Sequence, residues 1–445
     1  MKISLFLCYN NIIMKLSEEL IWRGFQAETT IKDFTNLDDR KSKKFYLGAD
    51  PSADSLTIGN LAALMMCACF VRHGYKPYLL VGGATGQIGD PKETGERDLK
   101  SIEEVEHNKE CIKKQMESIV SPDGAANTKD DGDAENDDWE VTMVDNYDWF
   151  KDMNYLEFLR TVGKAFSMTQ LLDRKFIQNR IGEGGSGISY AEFSYTLIQG
   201  YDFWHLYKEY GIDLQLCGAD QYGNASTGIH LINKFENANA DVWSTPLIID
   251  PVTGRKFGKS EGNAVWLSAK DNGQGNYTSV FDFYQFWLNQ SDEAVEYLLK
   301  IYTVLSKEEI ESILEEHKAH PELRTAQKAL AKGVTEVVHG KTSAKAAITL
   351  TEILFGGKKI GQLSETEIDS ISLLLPSLKL GDDRSEINII DALVETELVA
   401  SKSEARKMLS GNAISVNGEK ITDENFVIRS TSILKRGKNK FALVK

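Results

Sequence analysis

Residues 44–61 read KFYLGADPSADSLTIGNL. The first six form a short apolar run suited to a buried strand, and DPSADS is rich in turn formers. A helical pattern then occupies residues 60–73. The same order recurs at once: KPYLLVGGATG (76–86) is a second apolar run ending in glycines, and a long helical pattern covers residues 102–120. Strand, glycine-bearing turn and helix in alternation predict a parallel sheet covered by crossover helices. Residues 141–144 and 213–216 extend the strands, and residues 155–166 and 191–210 the helices. Upstream, Met14 opens a helical pattern through Leu16, Leu20 and Ile21 that Gly24 stops. The first 13 residues read unlike it, as a loose extension or a misassigned start.

Downstream the text changes. From Leu267 to Leu354 the pattern is almost wholly helical, broken by Pro321 and by glycines. Residues 356–385 are a weakly patterned connector. The last stretch, residues 390–445, combines two helical patterns with short strands around the turns VNGEK and KRGKNK.

Composition bounds the possibilities. With 445 residues, 42% apolar and 26% charged, the chain has ample core material and is not a disordered protein. No stretch approaches the roughly 20 apolar residues of a membrane span. The start lacks a secretory pattern, so the expected location is cytoplasmic. Five cysteines (Cys8, Cys67, Cys69, Cys111, Cys217) form neither a disulfide framework nor a CxxC pair, which argues for reduced thiols and against structural zinc. The net charge is −15, unsuited to coating nucleic acid nonspecifically. Residues 386–445, however, hold 10 basic residues against 8 acidic, and six basic residues with no acidic one fall in 429–445. Contact with a polyanion is expected there. By contrast, residues 121–139 carry seven acidic residues and one lysine, the composition of a surface loop.

Three loops hold residues suited to phosphate chemistry. In 48–61 a strand delivers Gly48 and Asp50 into a turn, and Gly59 and Asn60 fall at a helix start, where free N–H groups favour an anion. In LVGGATGQIGDPKETGER (80–97), Gly82, Gly83, Gly86 and Gly89 let backbone approach a ligand, while Asp90, Lys92 and Arg97 supply charge. In KFGKS (256–260), Lys256 and Lys259 flank a glycine and can clamp a triphosphate as a bond to phosphorus breaks.

The pairing of a glycine-bearing first turn with KFGKS, about 200 residues later, resembles the class I aminoacyl-tRNA synthetases. Their HIGH and KMSKS motifs bind ATP. DPSADSLTIGNL, GGATGQIGDP, NYDWF, AEFSYTLIQGYDF, GADQYGN and KFGKS stand in the order found in bacterial tyrosyl-tRNA synthetases. The resemblance runs from Met14 to Lys445. It implies a Rossmann-like α/β catalytic domain (14–255) with a dimer-forming insertion, a KMSKS-type loop (256–275) and a helical domain contacting the anticodon arm (276–355). A linker (356–386) and a small α+β, S4-like RNA-binding domain (387–445) would follow.

The resemblance also assigns residues. Tyr46 and Asp202 match the pair that holds the substrate's phenolic hydroxyl. Tyr195, Gln199 and Gln221 match those binding its amino group, with Asp90 close by and Asn146 supporting the rim. Tyr195, Gln199 and Asp202 lie at offsets of four and seven, which places them on one helix face. Gly48, Asp50, Gly59, Asn60, Gly218 and Asp220 would line the ATP side, Asp220 at the ribose. Lys256, Lys259 and Ser260, with Ser52 and Thr57, would act on the phosphates. Lys402, Arg406 and Lys407 would track tRNA phosphates from one helix. The implied substrates are L-tyrosine, ATP with Mg²⁺, and tRNA(Tyr). The implied assembly is a homodimer, with its interface in residues 102–166.

This chain departs from the family pattern in places. Thr57 stands for the first signature histidine, Asn60 for the second, and Ser52 for a threonine; PKETGER is one residue short. Losing one transition-state donor raises a barrier by about 2 to 4 kcal/mol unless a neighbour compensates. Two rivals follow: a tryptophanyl homologue, which Tyr46 with Asp202 disfavours, and a degenerate RNA-binding relative, which Thr57 and the short loop favour.

Overall fold

The computed structural model describes residues 14–91, 95, 98–121, 140–172, 175–182, 184–249, 254, 264–381, 384–437 and 440–445. By internal contacts these separate into two units. One runs up to Thr278 and includes Gln290–Leu330; the other comprises Ser279–Asn289 and Ala331–Lys445.

The first unit is built on a parallel sheet of β1 (Lys44–Ala49), β2 (Lys76–Val81), β3 (Thr142–Asp145), β4 (Leu214–Gly218) and β5 (Asp241–Thr245). Their order is β3-β2-β1-β4-β5. The order reverses at β1, so the strand ends there open a crevice where ligands gather in doubly wound folds. β5 has no forerunner in the sequence reading. DVWST is short, and part of its pairing comes from far upstream, with Ala27 N–H donating to Ser244 O and Thr30 N–H to Val242 O.

The same unit holds helices α1 (Leu16–Arg23), α2 (Ile58–Arg72), α3 (Ile102–Ile119), α4 (Tyr147–Phe150), α5 (Tyr155–Thr161), α6 (Met168–Leu172), α7 (Lys175–Ile181), α8 (Tyr190–Tyr210) and α9 (Tyr222–Glu236). α2 is apolar on nearly every side because α1, α3 and β2 lie against it. α1 ends at Gly24, whose left-handed backbone (φ 84) closes the last turn. Gly200 and Gly228 let α8 and α9 approach closely: a Cβ on Gly200 would meet Thr227 Cγ2 at 2.6 Å, and one on Gly228 would meet Phe203 Cβ at 2.5 Å.

Helix does not resume at Leu267. Residues 267–279 form a looped segment with Gly273 and Gly275 at positive φ, and α10 begins only at Val280 (Val280–Leu288). α11 (Asp292–Tyr302) and α12 (Lys307–Ala319) belong to the first unit. α13 (Thr325–Phe355) bends at Gly340, whose φ of 83 and ψ of 163 are not helical.

The second unit gathers α14 (Glu365–Ser372), α15 (Ile389–Glu395) and α16 (Lys402–Ser410) with a mixed sheet. The sheet is ordered β6 (Ser377–Leu378), β12 (Lys440–Val444), β11 (Ser432–Arg436), β8 (Ile414–Val416), β9 (Glu419–Lys420); β7 (Ile387–Asn388) pairs separately with β10 (Val427–Ile428). The described part of the weakly patterned connector is therefore ordered. It supplies α14, closed by a capping box from Ser364 and Glu367, and the edge strand β6, and it buries Ile360 and Ile371 against Phe281, Leu350, Ile433 and Phe441. Residues 122–139, which include most of the acidic stretch, lie outside the described residues.

Candidate functional site: a polar cavity at the strand ends

A cavity of about 640 Å³ opens at the carboxyl ends of β1, β2 and β4. β1 delivers Tyr46, Gly48 and, just beyond its end, Asp50; the following turn and α2 bring Ser52, Thr57, Gly59 and Asn60. The loop after β2 contributes Asp90, α8 contributes Tyr195, Gln199 and Asp202, and the end of β4 contributes Gly218, Asp220 and Gln221. The structure thus brings together nearly every candidate named for tyrosine and ATP. Lys256, Lys259 and Ser260, like Lys92 and Arg97, lie outside the described residues.

Asn146, expected to support the pocket rim, does not itself line the cavity. It is fully buried behind the cavity wall, where its Nδ2 donates to Asp202 Oδ2 (3.1 Å) and Thr85 Oγ1 (3.1 Å), and its Oδ1 accepts from the Ala84 N–H (2.7 Å). Asp202 Oδ1 accepts from Trp149 Nε1 at 2.9 Å. Trp149 was inside the quoted NYDWF motif, but only its tertiary position marks it as a partner. Burial pushes the Asp202 carboxyl up to about 8, although the Asn146 and Trp149 bonds pull the other way.

On the other flank, Asp50 joins the two halves of the site. Its Oδ2 accepts from Tyr195 Oη (2.7 Å) and its Oδ1 from Thr85 Oγ1 (2.7 Å). Burial, then Asp50 and Asp90, push the Tyr195 phenol well above its ordinary value, so it remains a donor. Asp90 accepts from Gln221 Nε2 at 3.0 Å and Asn224 Nδ2 at 3.5 Å, and Asn224 is fixed in turn by Thr196. Gly82 and Gly83 are close to protein rather than ligand: a Cβ on either would collide with the carboxylate of Asp50 or Asp145.

Thr57 lines the cavity and also holds a neighbour. Its hydroxyl donates to Asn60 Oδ1 (2.9 Å), and its N–H donates to the same oxygen (3.1 Å). The threonine therefore orients the Asn60 amide. Lys100, unremarked in the sequence, lines the cavity beside its partner Glu104.

Four buried polar atoms of residues lining this cavity have no hydrogen-bond partner among the described residues: Tyr46 Oη, Gln199 Oε1, Gln215 Oε1 and Thr245 Oγ1. Orphaned groups of this kind are costly, and all four belong to residues that line one cavity. In the second unit, Lys402, Arg406 and Lys407 are exposed on α16; Lys402 meets Asp391 at 2.7 Å and Arg406 meets Glu424 at 3.2 Å. Among the described residues, no helix is long and apolar enough to cross a membrane.

Comparison with known proteins agrees with this geometry. Residues 38–356 match the class I tRNA synthetases (W and Y), and residues 367–444 match the C-terminal domain of SYY-like tyrosine–tRNA ligases. Tyrosine–tRNA ligase 1 of Enterococcus faecalis is 38% identical over 443 residues, covering 97% of this chain and 99% of its own. The tyrosine–tRNA ligase of Bacteroides fragilis is 37% identical over 446 residues, covering 97% and 99%. Among solved structures, a C-terminally truncated mitochondrial tyrosyl-tRNA synthetase of Aspergillus nidulans superposes with a TM-score of 0.65 at 29% identity, covering 77% of this chain and 94% of that one. The Archaeoglobus fulgidus tyrosyl-tRNA synthetase complexed with L-tyrosine shares the fold, with a TM-score of 0.52 at 14% identity over 75% of this chain and 100% of that one. The chain therefore belongs to the tyrosine–tRNA ligases, class I synthetases that activate tyrosine with ATP and transfer it to tRNA.

Proposed function

We propose that the cavity divides into a phenol end, an amine end and a phosphate side. Tyr46 and Asp202 hold the substrate hydroxyl, with Asn146 and Trp149 fixing the carboxylate from behind. Phenylalanine would leave those buried polar groups unpaired; rejection on this basis is an established property of the tyrosyl-tRNA synthetases and not a result obtained from this chain. Tyr195, Gln199 and Gln221, with Asp90, hold the ammonium group. Gly48, Asp50, Gly59, Asn60, Gly218 and Asp220 accommodate ATP. The observation that supports this reading is the group of unpartnered polar atoms, above all Tyr46 Oη, on residues that line the same cavity as Asp50, Asp90, Asp202 and Asp220.

Tyrosine's carboxylate attacks the α-phosphorus in line, and pyrophosphate leaves. The terminal ribose hydroxyl of tRNA then takes the tyrosyl group from AMP. No enzyme side chain becomes covalently attached, so the residues act by placement and by stabilising phosphate charge. Mg²⁺ enters as part of the ATP substrate, and Lys256, Lys259, Ser260, Ser52 and Thr57 add donors. Lys402, Arg406 and Lys407 contact tRNA phosphates. The enzyme works in the cytoplasm as a homodimer joined through residues 102–166, a segment whose exposed apolar side chains include Ile102 (64%) and Leu156 (72%).

Amino-acid-dependent ATP–pyrophosphate exchange tests the reading. Exchange with tyrosine supports it, and exchange with tryptophan would reassign the pocket. No exchange with any amino acid would favour the degenerate relative suggested by Thr57 and the short loop.

A further inference from the structure

Behind the turn that carries Ser52 and Thr57 lies a buried carboxylate with no part in the assignments above. Asp54 is 0% exposed, and no cation pairs with it among the described residues. Its Oδ1 accepts from Asn276 Nδ2 at 2.8 Å and its Oδ2 from the Gln274 N–H at 3.2 Å; its main-chain carbonyl accepts from Asn272 Nδ2 at 3.1 Å. All three donors belong to one segment. Asp271 shapes that segment by accepting from the N–H groups of Gly273 and Gly275, both at 2.8 Å, where φ values of 114° and 74° suit glycine.

The tie continues along the turn. Ser55 Oγ accepts from the Ser268 N–H (3.0 Å) and from Gln115 Nε2 (3.2 Å), which also donates to Ser268 Oγ (2.8 Å). Gln115 Oε1 accepts from the Leu56 N–H (2.8 Å). Main-chain bonds run from Leu267 N–H to Leu56 O (2.8 Å) and from Ile58 N–H to Val265 O (3.1 Å). Residues 265–276 are thus fastened along 54–58. The same turn presents Ser52, Thr57, Gly59 and Asn60 to the cavity.

Burying a carboxylate without a counter-charge is costly, and apolar packing would stabilise a turn at least as well. What a carboxylate adds is direction, through strong bonds to particular N–H groups. We propose that Asp54 is a positioning residue for adenylate formation, holding residues 265–276 against the turn so that its cavity-facing groups stay in register with ATP. This rests on the assignment of that turn to ATP.

The test is pyrophosphate exchange by the full chain carrying Asp54→Asn, whose amide offers one acceptor oxygen where the carboxylate offered two, to the Gln274 N–H and the Asn276 amide. Its kcat falls about 10- to 100-fold, while the tyrosine KM and the transfer of tyrosine from preformed adenylate to tRNA hold steady. Adding Asn276→Asp restores most of the loss, since the introduced amide then donates to the introduced carboxylate. If Asp54→Asn does not fold, Asn276→Ala, which removes one donor at a half-buried position, carries the same expectation. An unchanged kcat, a loss that Asn276→Asp does not relieve, or a parallel rise in tyrosine KM overturns the proposal. Asn60→Ala separates the two readings. A raised ATP KM there beside a silent Asp54→Asn defeats only the role of Asp54, whereas an unchanged ATP KM defeats the assignment of the turn itself.

Discussion

Tyr46 is 1% exposed, yet its hydroxyl bonds to nothing among the described residues. Removing that oxygen therefore leaves the free enzyme as stable or more so, while weakening tyrosine binding by about 1 to 2 kcal/mol. Thermal melting and tyrosine KM of Tyr46→Phe check both halves, and a fall in melting temperature with unchanged KM would mean a structural role. Asp202 makes a pH prediction. Its folded value near 8 lies above the roughly 3.9 of an unfolded aspartate, so between these values the folded state holds a proton that the unfolded chain lacks. Stability from this group is full at the acid end and is lost as pH rises to about 8. Asp202→Asn should flatten that slope in denaturant melts across the interval; parallel curves for variant and parent would contradict it. The resemblance to the family's motifs pointed to Tyr46, Tyr195, Gln199 and Asp202, and offsets of four and seven set the last three on one helix face. Asn146, just beyond β3, and Trp149 on α4 bond to Asp202 from more than 50 positions away, and no local pattern announces such a partnership.

α8 carries three of the seven residues proposed for tyrosine, and its close approach to α9 depends on two glycines. A methyl group at Gly200 or Gly228 has nowhere to go against Thr227 or Phe203. Either change to alanine should cost about 1 to 3 kcal/mol of stability. Gly200→Ala should in addition raise the tyrosine KM, because Gln199 and Asp202 flank it; unchanged melting would show that the helices slide apart freely. Alternating apolar runs made four of the five sheet strands and the long helices legible. β5 escaped because much of its stabilisation comes from residues 27–30, far away in sequence. Residues 267–279 and 356–385 read poorly for a similar reason. The first takes its shape from bonds to Asp54 and Ser55, and the second from burial of Ile360 and Ile371.

Over the whole chain, charge and chemistry are segregated. The described residues proposed for tyrosine and ATP fall in the first unit, and the exposed cations of α16 fall in the second. Truncation after Leu380 would strip Ile433, Phe441 and Leu443 from the cluster with Phe281 and Leu350, so it confounds stability with RNA binding. Replacing Lys402, Arg406 and Lys407 together by alanine avoids this, since all three are exposed and their ion pairs are worth little. Exchange with tyrosine should be unchanged, while the KM for tRNA rises and its dependence on salt becomes shallower. Unaltered aminoacylation across salt concentrations would remove α16 from the tRNA contact.

Recognition of tyrosine by its hydroxyl is the claim on which the assignment of the pocket depends. A crystal structure with L-tyrosine bound tests it directly. The phenolic oxygen should lie within hydrogen-bonding distance of both Asp202 and Tyr46 Oη, with the amino group turned toward Tyr195 and Gln199. A ring seated elsewhere, or an oxygen touching neither side chain, would contradict the account.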